Sequence, residues 1–302
     1  MKWFAALPAP VRGVLWMLLQ AISMVAMMTA VRALARHGIP GHESAFFRGF
    51  VGVLVMLPWL IRAAPTGALF PREWRWVGLR TGLASGGVLF WFLGLGGMPI
   101  SDVVAVQFTH PLFVVAGAAL LLGESVGGRR WRGVAIGLVG ALLIVRPGGQ
   151  VNPLVFAVLA SAMCNAGVQL CTKRVAGMVP GAVLAFYMNL LLAPIALVAA
   201  LPVWVWPAWA DLGWIVAIGV FGTLAHIFLT RAFTAADASL AGPVDFARLP
   251  FGALAGWLLF DEFSDGWTWL GAGLIIASVL WITRRESRAA APAIAAGTDA
   301  GR

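Results

Sequence analysis

Apolar residues run along this chain in long continuous blocks, divided by short stretches rich in glycine, proline and basic side chains. The blocks are about twice the ten or so residues of a membrane β-strand, and they lack its alternation. Lipid offers no partner to backbone N–H and C=O groups, so each block must satisfy its own and reads as a helix. Ten follow one another, at residues 11–33, 44–62, 76–96, 101–122, 131–146, 152–172, 181–201, 211–231, 239–260 and 266–283. The gaps carry turn chemistry, as in His37-Gly38-Ile39-Pro40-Gly41, Gly96-Gly97-Met98-Pro99 and Arg146-Pro147-Gly148-Gly149. Residues 1–10 form a short cytoplasmic start. Residues 285–302 are Ala-rich with no apolar face, and the expectation is a disordered cytoplasmic tail. Lys2, Arg12 and the Ala-x-Ala-like end at Ala33 and Ala35 resemble a cleaved leader. The block is long enough to span, however, and it has a counterpart later in the chain.

Composition narrows the class. Of 302 residues 61% are hydrophobic and 11% charged, and the mean hydropathy is +0.91. A soluble domain carries about 25% charged residues, so an ordinary soluble enzyme and a disordered chain are both excluded. The chain is expected in the plasma membrane (the inner membrane of a bacterium), crossing it many times. The net charge of +9 does not point to nucleic acid, because the basic residues lie in short gaps between apolar blocks. With the N-terminus cytoplasmic, 16 Lys and Arg fall on the inner side and 3 on the outer, namely Arg32, Arg36 and Arg146. Arg48 and Arg248 fall within spans, and Arg48, in the outer third of its helix, is expected to reach toward the interface. The bias places both termini inside and requires an even number of spans. Trp204, Trp206 and Trp209 suit an interfacial belt.

The two halves repeat. A shift of 138 aligns Ser101 with Ser239, Phe108 with Phe246, Glu124 with Glu262, Trp131 with Trp269 and Gly133 with Gly271. Over 101–146 it leaves 13 of 46 positions identical. Near the start of each half a shift of 140 aligns Pro40-Gly41 with Pro180-Gly181. Residues 11–146 and 152–284 are therefore two five-helix units. Five is odd, so the second enters the membrane from the opposite side, an inverted repeat of the kind common in transporters.

Leu120-Leu-Leu-Gly-Glu-Ser125 and Leu258-Leu-Phe-Asp-Glu-Phe263 each close a helix, and Trp131-Arg-Gly133 and Trp269-Leu-Gly271 open the last helix of each unit. These runs, with Arg231 to Ser239, resemble the EamA-type ten-helix transporters of the drug/metabolite transporter superfamily. The resemblance covers residues 11–284. It implies a secondary transporter exporting small amphiphilic metabolites. The branch it suggests exports aromatic and other neutral amino acids, with a drug or other metabolite, or a channel-like permease, as alternatives. An embedded enzyme is not supported, since the four histidines are scattered and no HExxH motif occurs. No Walker-type lysine motif is present, and no cofactor or metal is expected.

The expected partners are the bilayer and a small-molecule substrate, with a proton as a possible coupling ion. Blocks four and nine each contain a proline, Pro111 and Pro250, and paired interruptions in inverted halves point to a midplane site with these prolines as hinges. Beside them lie Gln107 and His110 in one half and Asp245 and Arg248 in the other, matched by the 138 shift. Asp245 and Arg248, three apart, can pair. They can equally meet a substrate amine and carboxylate, Asp245 also serving as a proton carrier. His110 and His226 are further proton candidates. Gln20 and Trp16 on helix one and Phe90 on helix three complete the expected substrate-binding set. Cys164 and Cys171 read as small thiols packed in one helix.

Overall fold

A computed structural model describes residues 8–63, 71–122, 128–145, 152–175, 178–235 and 242–281. Among these run α1 (Ala9–Arg36), α2 (Gly41–Ala63), α3 (Trp74–Gly97), α4 (Ile100–Gln107) and α5 (His110–Leu122). They are followed by α6 (Gly128–Val145), α7 (Leu154–Val175), α8 (Gly181–Ala200), α9 (Leu212–Ala235), α10 (Arg248–Phe260) and α11 (Gly266–Trp281). A 3-10 turn, Gly242–Ala247, leads into α10. The chain is an all-helical membrane protein, and six stretches of the described residues are long and apolar enough to span alone. The expected tail, Glu124 and most of the loop before α6 lie outside the described residues.

Two expected helices differ. Block four is divided into α4 and α5 by a turn at Phe108 and Thr109, and the described part of block nine opens with the 3-10 turn and only then becomes α-helical at Arg248. Pro111 and Pro250 stand in the first turns of α5 and α10. A proline there costs no intrahelical donor, whereas in mid-helix it would leave a carbonyl unmet and clash with the preceding turn.

The halves interlock. α1 lies along α9, α3 along α7, and α2 crosses α8. The repeat relation turns the first of these pairs into the second and the third into itself. α2 and α8 cross where a Cβ on Gly49 would come within 3.1 Å of the Asn189 carbonyl, and the 140 shift aligns Gly49 with Asn189. The last helices of the units obey the same rule. Ser278 donates to the Gly133 carbonyl, and a Cβ on Gly140 would come within 2.7 Å of the Gly271 carbonyl. The 138 shift turns the first contact into the second. The shared core draws Phe92, Leu95, Ile100 and Leu112 from one half and Leu192, Ile218 and Ile275 from the other.

One end of the bundle is tied shut. α1 ends in a Schellman turn, with Gly38 at φ 86° and the Ile39 N–H bonded to the Leu34 carbonyl at 3.0 Å. Asp261, left-handed at φ 54°, ends α10 and turns Glu262 back toward the bundle. Glu262 Oε1 accepts from Arg32 at 2.6 Å and Arg36 at 3.3 Å, and its Oε2 accepts from the Ile100 N–H at 3.2 Å. On the same face His37 pairs with Asp211 at 2.6 Å, Ser101 with Ser264, and Glu43 accepts from the Val205 N–H at 3.0 Å. Trp204 packs on Phe46 and Phe47, while Trp206 and Trp209 are exposed.

Candidate substrate site at the paired helix breaks

The two breaks fall at matched positions. α5 begins at His110 and α10 at Arg248, residues that the 138 shift aligns. α4 and α5 descend through the first half and the turn and α10 ascend through the second, so the N-termini of α5 and α10 both open at the breaks. The positive ends of the two helix dipoles are thereby set at matched positions, although in α5 the Leu112 and Phe113 N–H groups are already bonded to the Thr109 carbonyl at 2.9 and 3.3 Å. Pro111 cannot donate to the Gln107 carbonyl, nor Pro250 to that of Phe246.

Phe108 and Phe246, one from each break, meet edge to face with ring centres 4.9 Å apart. Arg248 lies over the Phe108 ring at 5.4 Å and forms an ion pair with Asp245. That pair occupies Asp245 Oδ2, while the buried Oδ1 has no protein partner. Two further acceptors are in the same condition, Gln107 Oε1 and Gln20 Oε1, the latter on a side chain 3% exposed. α1, which carries Gln20, packs on the 3-10 turn and on α10. His110 hydrogen-bonds with Gln169 of α7 and lies within electrostatic reach of Arg248. His110, Asp245 and Arg248 thus gather at one aromatic contact, and Gln107 immediately precedes Phe108 at the end of α4.

Of the remaining candidates, Trp16 packs with Val244 of the 3-10 turn around Met17 and Ala232. Trp16 stacks on Phe228 at 5.4 Å with Arg231 4.9 Å above its ring, toward the end of α1 away from the Glu262 contacts. Phe90 is exposed on the outside of α3, and its neighbours Trp91 and Phe92 are the buried rings, Trp91 Nε1 having no hydrogen-bond partner. A residue one step along a helix turns by about 100°, so the inward rings are Trp91 and Phe92 rather than Phe90. His226 Nδ1 bonds to the Gly222 carbonyl at 2.9 Å and lies within electrostatic reach of Arg48 and Arg80.

Arg48 corrects an expectation. It does not reach the interface but is 5% exposed, enclosed where α2 meets α8 and α9, with Nη1 3.4 Å from Asn189 Oδ1. Gly222 makes the room, since a Cβ there would lie 3.4 Å from Arg48 Nε and 3.0 Å from Met27 Sδ. The available signal was the alignment of Gly49 with Asn189, which sets this stretch of α2 at the centre of the pseudo-symmetric molecule. The role of Glu262 was also missed, although its motif was visible. Of Arg32 and Arg36, counted as outer-face exceptions, the part-buried Arg32 is paired with it and the exposed Arg36 touches it at 3.3 Å.

An apolar recess of about 540 Å³ opens between α3 and α8, lined by Trp74, Val77, Thr81, Tyr187, Leu190 and Pro194. It holds none of the polar residues gathered at the breaks.

Comparison with known proteins follows the same outline. The model of the EamA-like transporter family matches residues 11–146 and 152–284. A riboflavin transporter of Rhizobium johnstonii is 34% identical over 91% of this chain and 92% of its own length. A riboflavin transporter of Vibrio cholerae is 32% identical over 92% and 95%. An S-adenosylmethionine uptake transporter of Rickettsia prowazekii is 27% identical over 94% and 96%. A solved crystal structure shares the fold, with TM-score 0.59 and 20% identity over 89% of this chain and 98% of that one.

Proposed function

We propose that this chain, which belongs to the EamA-like transporter family, carries a flat heteroaromatic metabolite rich in N–H and O–H donors, with riboflavin as the first candidate. The chain is a secondary transporter of small metabolites and not an enzyme. The observation that carries the finer reading is the set of three buried acceptors without donors, Gln20 Oε1, Gln107 Oε1 and Asp245 Oδ1, on α1, α4 and the 3-10 turn, elements that pack against one another or against α10. An unmet buried acceptor costs about 1–3 kcal/mol, and a ligand that brings its own donors removes that cost. A polyhydroxylated side chain supplies them, and a flat ring system suits neighbouring aromatic rings. The relatives named riboflavin transporters point to the same chemistry.

The amino-acid reading from sequence relied on Arg248 for a carboxylate and Asp245 for an amine. Those two groups are spent on each other in this conformation. Pro111 and Pro250, at the starts of α5 and α10, are the positions about which the half-helices would tilt as the site changes sides.

Purified protein in liposomes tests the proposal. Riboflavin flux, followed by its fluorescence, is expected to saturate and to show counterflow. S-adenosylmethionine and phenylalanine serve as alternative substrates. Phenylalanine flux without riboflavin flux would return the substrate to the amino acids, and non-saturating flux would indicate a permease. Repeating the measurement with an imposed pH gradient assigns or excludes a proton as coupling ion, and orienting the protein gives the direction of transport.

A further inference from the structure

Arg48 is a cation without a counter-charge. It is 5% exposed, its hydrogen bond among the described residues is a long one of 3.4 Å to the neutral amide of Asn189, and its Nε has no partner there. Among the described residues no carboxylate pairs with it. Glu43, one to two turns earlier on α2, accepts from the Val205 N–H instead. His226, within electrostatic reach of both Arg48 and Arg80, supplies no negative charge. Arg48 lies on neither break and forms no contact with Asp245 or Arg248. A charge within a membrane protein is costly and is ordinarily paired. Neutral acceptors do not offset it fully, whereas an oxyanion matches the planar fork of a guanidinium with two charge-assisted hydrogen bonds.

We propose that Arg48 is an oxyanion-binding site, taking a carboxylate or phosphate group where α2 crosses α8 and α9. The group comes either from the transported metabolite or from a free inorganic anion bound beside a neutral one. This rests on the carrier reading above and adds a charge requirement to it.

The test is thermal unfolding of the purified full chain in detergent, with inorganic phosphate, riboflavin and riboflavin 5′-phosphate as probes. Phosphate is expected to raise the melting temperature saturably in the wild type, and Arg48→Met to abolish that rise. Without any anion, Arg48→Met is expected to melt no lower than the wild type, since it removes an uncompensated charge. Should Arg48→Met fail to fold, Arg48→Lys, which keeps the charge but loses the fork, is expected to weaken the apparent phosphate affinity about tenfold. Saturation by riboflavin 5′-phosphate at lower concentration than by phosphate would identify the metabolite as the source. Equal saturation would identify a free anion. The proposal is overturned if neither phosphate nor riboflavin 5′-phosphate shifts the wild type, or if Arg48→Met or Arg48→Lys retains the full shift. Riboflavin flux in liposomes reads the carrier proposal independently of either result.

Discussion

Glu262→Gln should loosen the closed face of the bundle. The carboxylate ties three elements, with Oε1 2.6 Å from Arg32 and 3.3 Å from Arg36, and Oε2 3.2 Å from the Ile100 N–H. Glu262 is 7% exposed and Arg32 11%, so their pair is shielded from water, whereas Arg36 at 52% contributes little. Removing one partner of a buried ion pair costs about 3–5 kcal/mol. Arg32 retains bonds to the Gly96 carbonyl at 2.8 Å and the Leu95 carbonyl at 3.4 Å, which lowers the estimate to about 2–3 kcal/mol. If the contact exists only while this face is closed, its loss shifts the closed-to-open ratio by roughly 30- to 150-fold. The assay is alkylation of Leu95→Cys, fully buried beside the contact, by a membrane-impermeant maleimide. Cys164 and Cys171 are first replaced by serine, and labelling is measured from each side of the membrane. The variant should label at least tenfold faster from the Glu262 face. Equal rates in folded protein with and without the substitution would refute the reasoning, leaving Glu262 as a static brace.

Arg248→Ala should cost only about 1 kcal/mol of stability, because the pair with Asp245 is partly exposed, while lowering riboflavin kcat/KM by leaving the Asp245 carboxylate uncompensated beside the break. Flux at the wild-type level would assign Arg248 a structural role only. Gly271→Ala should destabilise by about 1–3 kcal/mol, since its Cβ would lie 2.5 Å from the Gly140 carbonyl. Gly273→Ala, with nothing within 4 Å, should be neutral or slightly stabilising in the same thermal assay. Gly38→Ala, at φ 86°, should cost about 1 kcal/mol by straining the turn that ends α1.

Particular residues show where sequence reasoning reaches and where it stops. Glu262 and Trp269 announced the repeat because matched polar and aromatic residues stand out against an apolar background. Pro111 and Pro250 marked the interrupted spans, but each break lies one to three residues before its proline, because the proline is tolerated only once the new helix has begun. Phe90 and Trp91 could not be ranked, since α3 is apolar on all sides and periodicity in such a helix does not say which face is inward. Arg48 was misplaced because depth along a span does not reveal whether lipid or protein surrounds it.

The chain by itself determined the apolar spans and the inverted relation of the halves. Backbone groups in lipid must be satisfied within each segment, so segment length and apolarity suffice to specify them. Only the tertiary structure decided which polar side chains share an interior. Lipid and protein core are equally apolar, and the helix faces that meet are chosen by close packing at Gly49, Gly222 and Gly271 and by polar contacts between the halves. That packing brings His110, Asp245 and Arg248 to the contact of Phe108 with Phe246, encloses Arg48, and sets Glu262 against Arg32 from the other half of the chain.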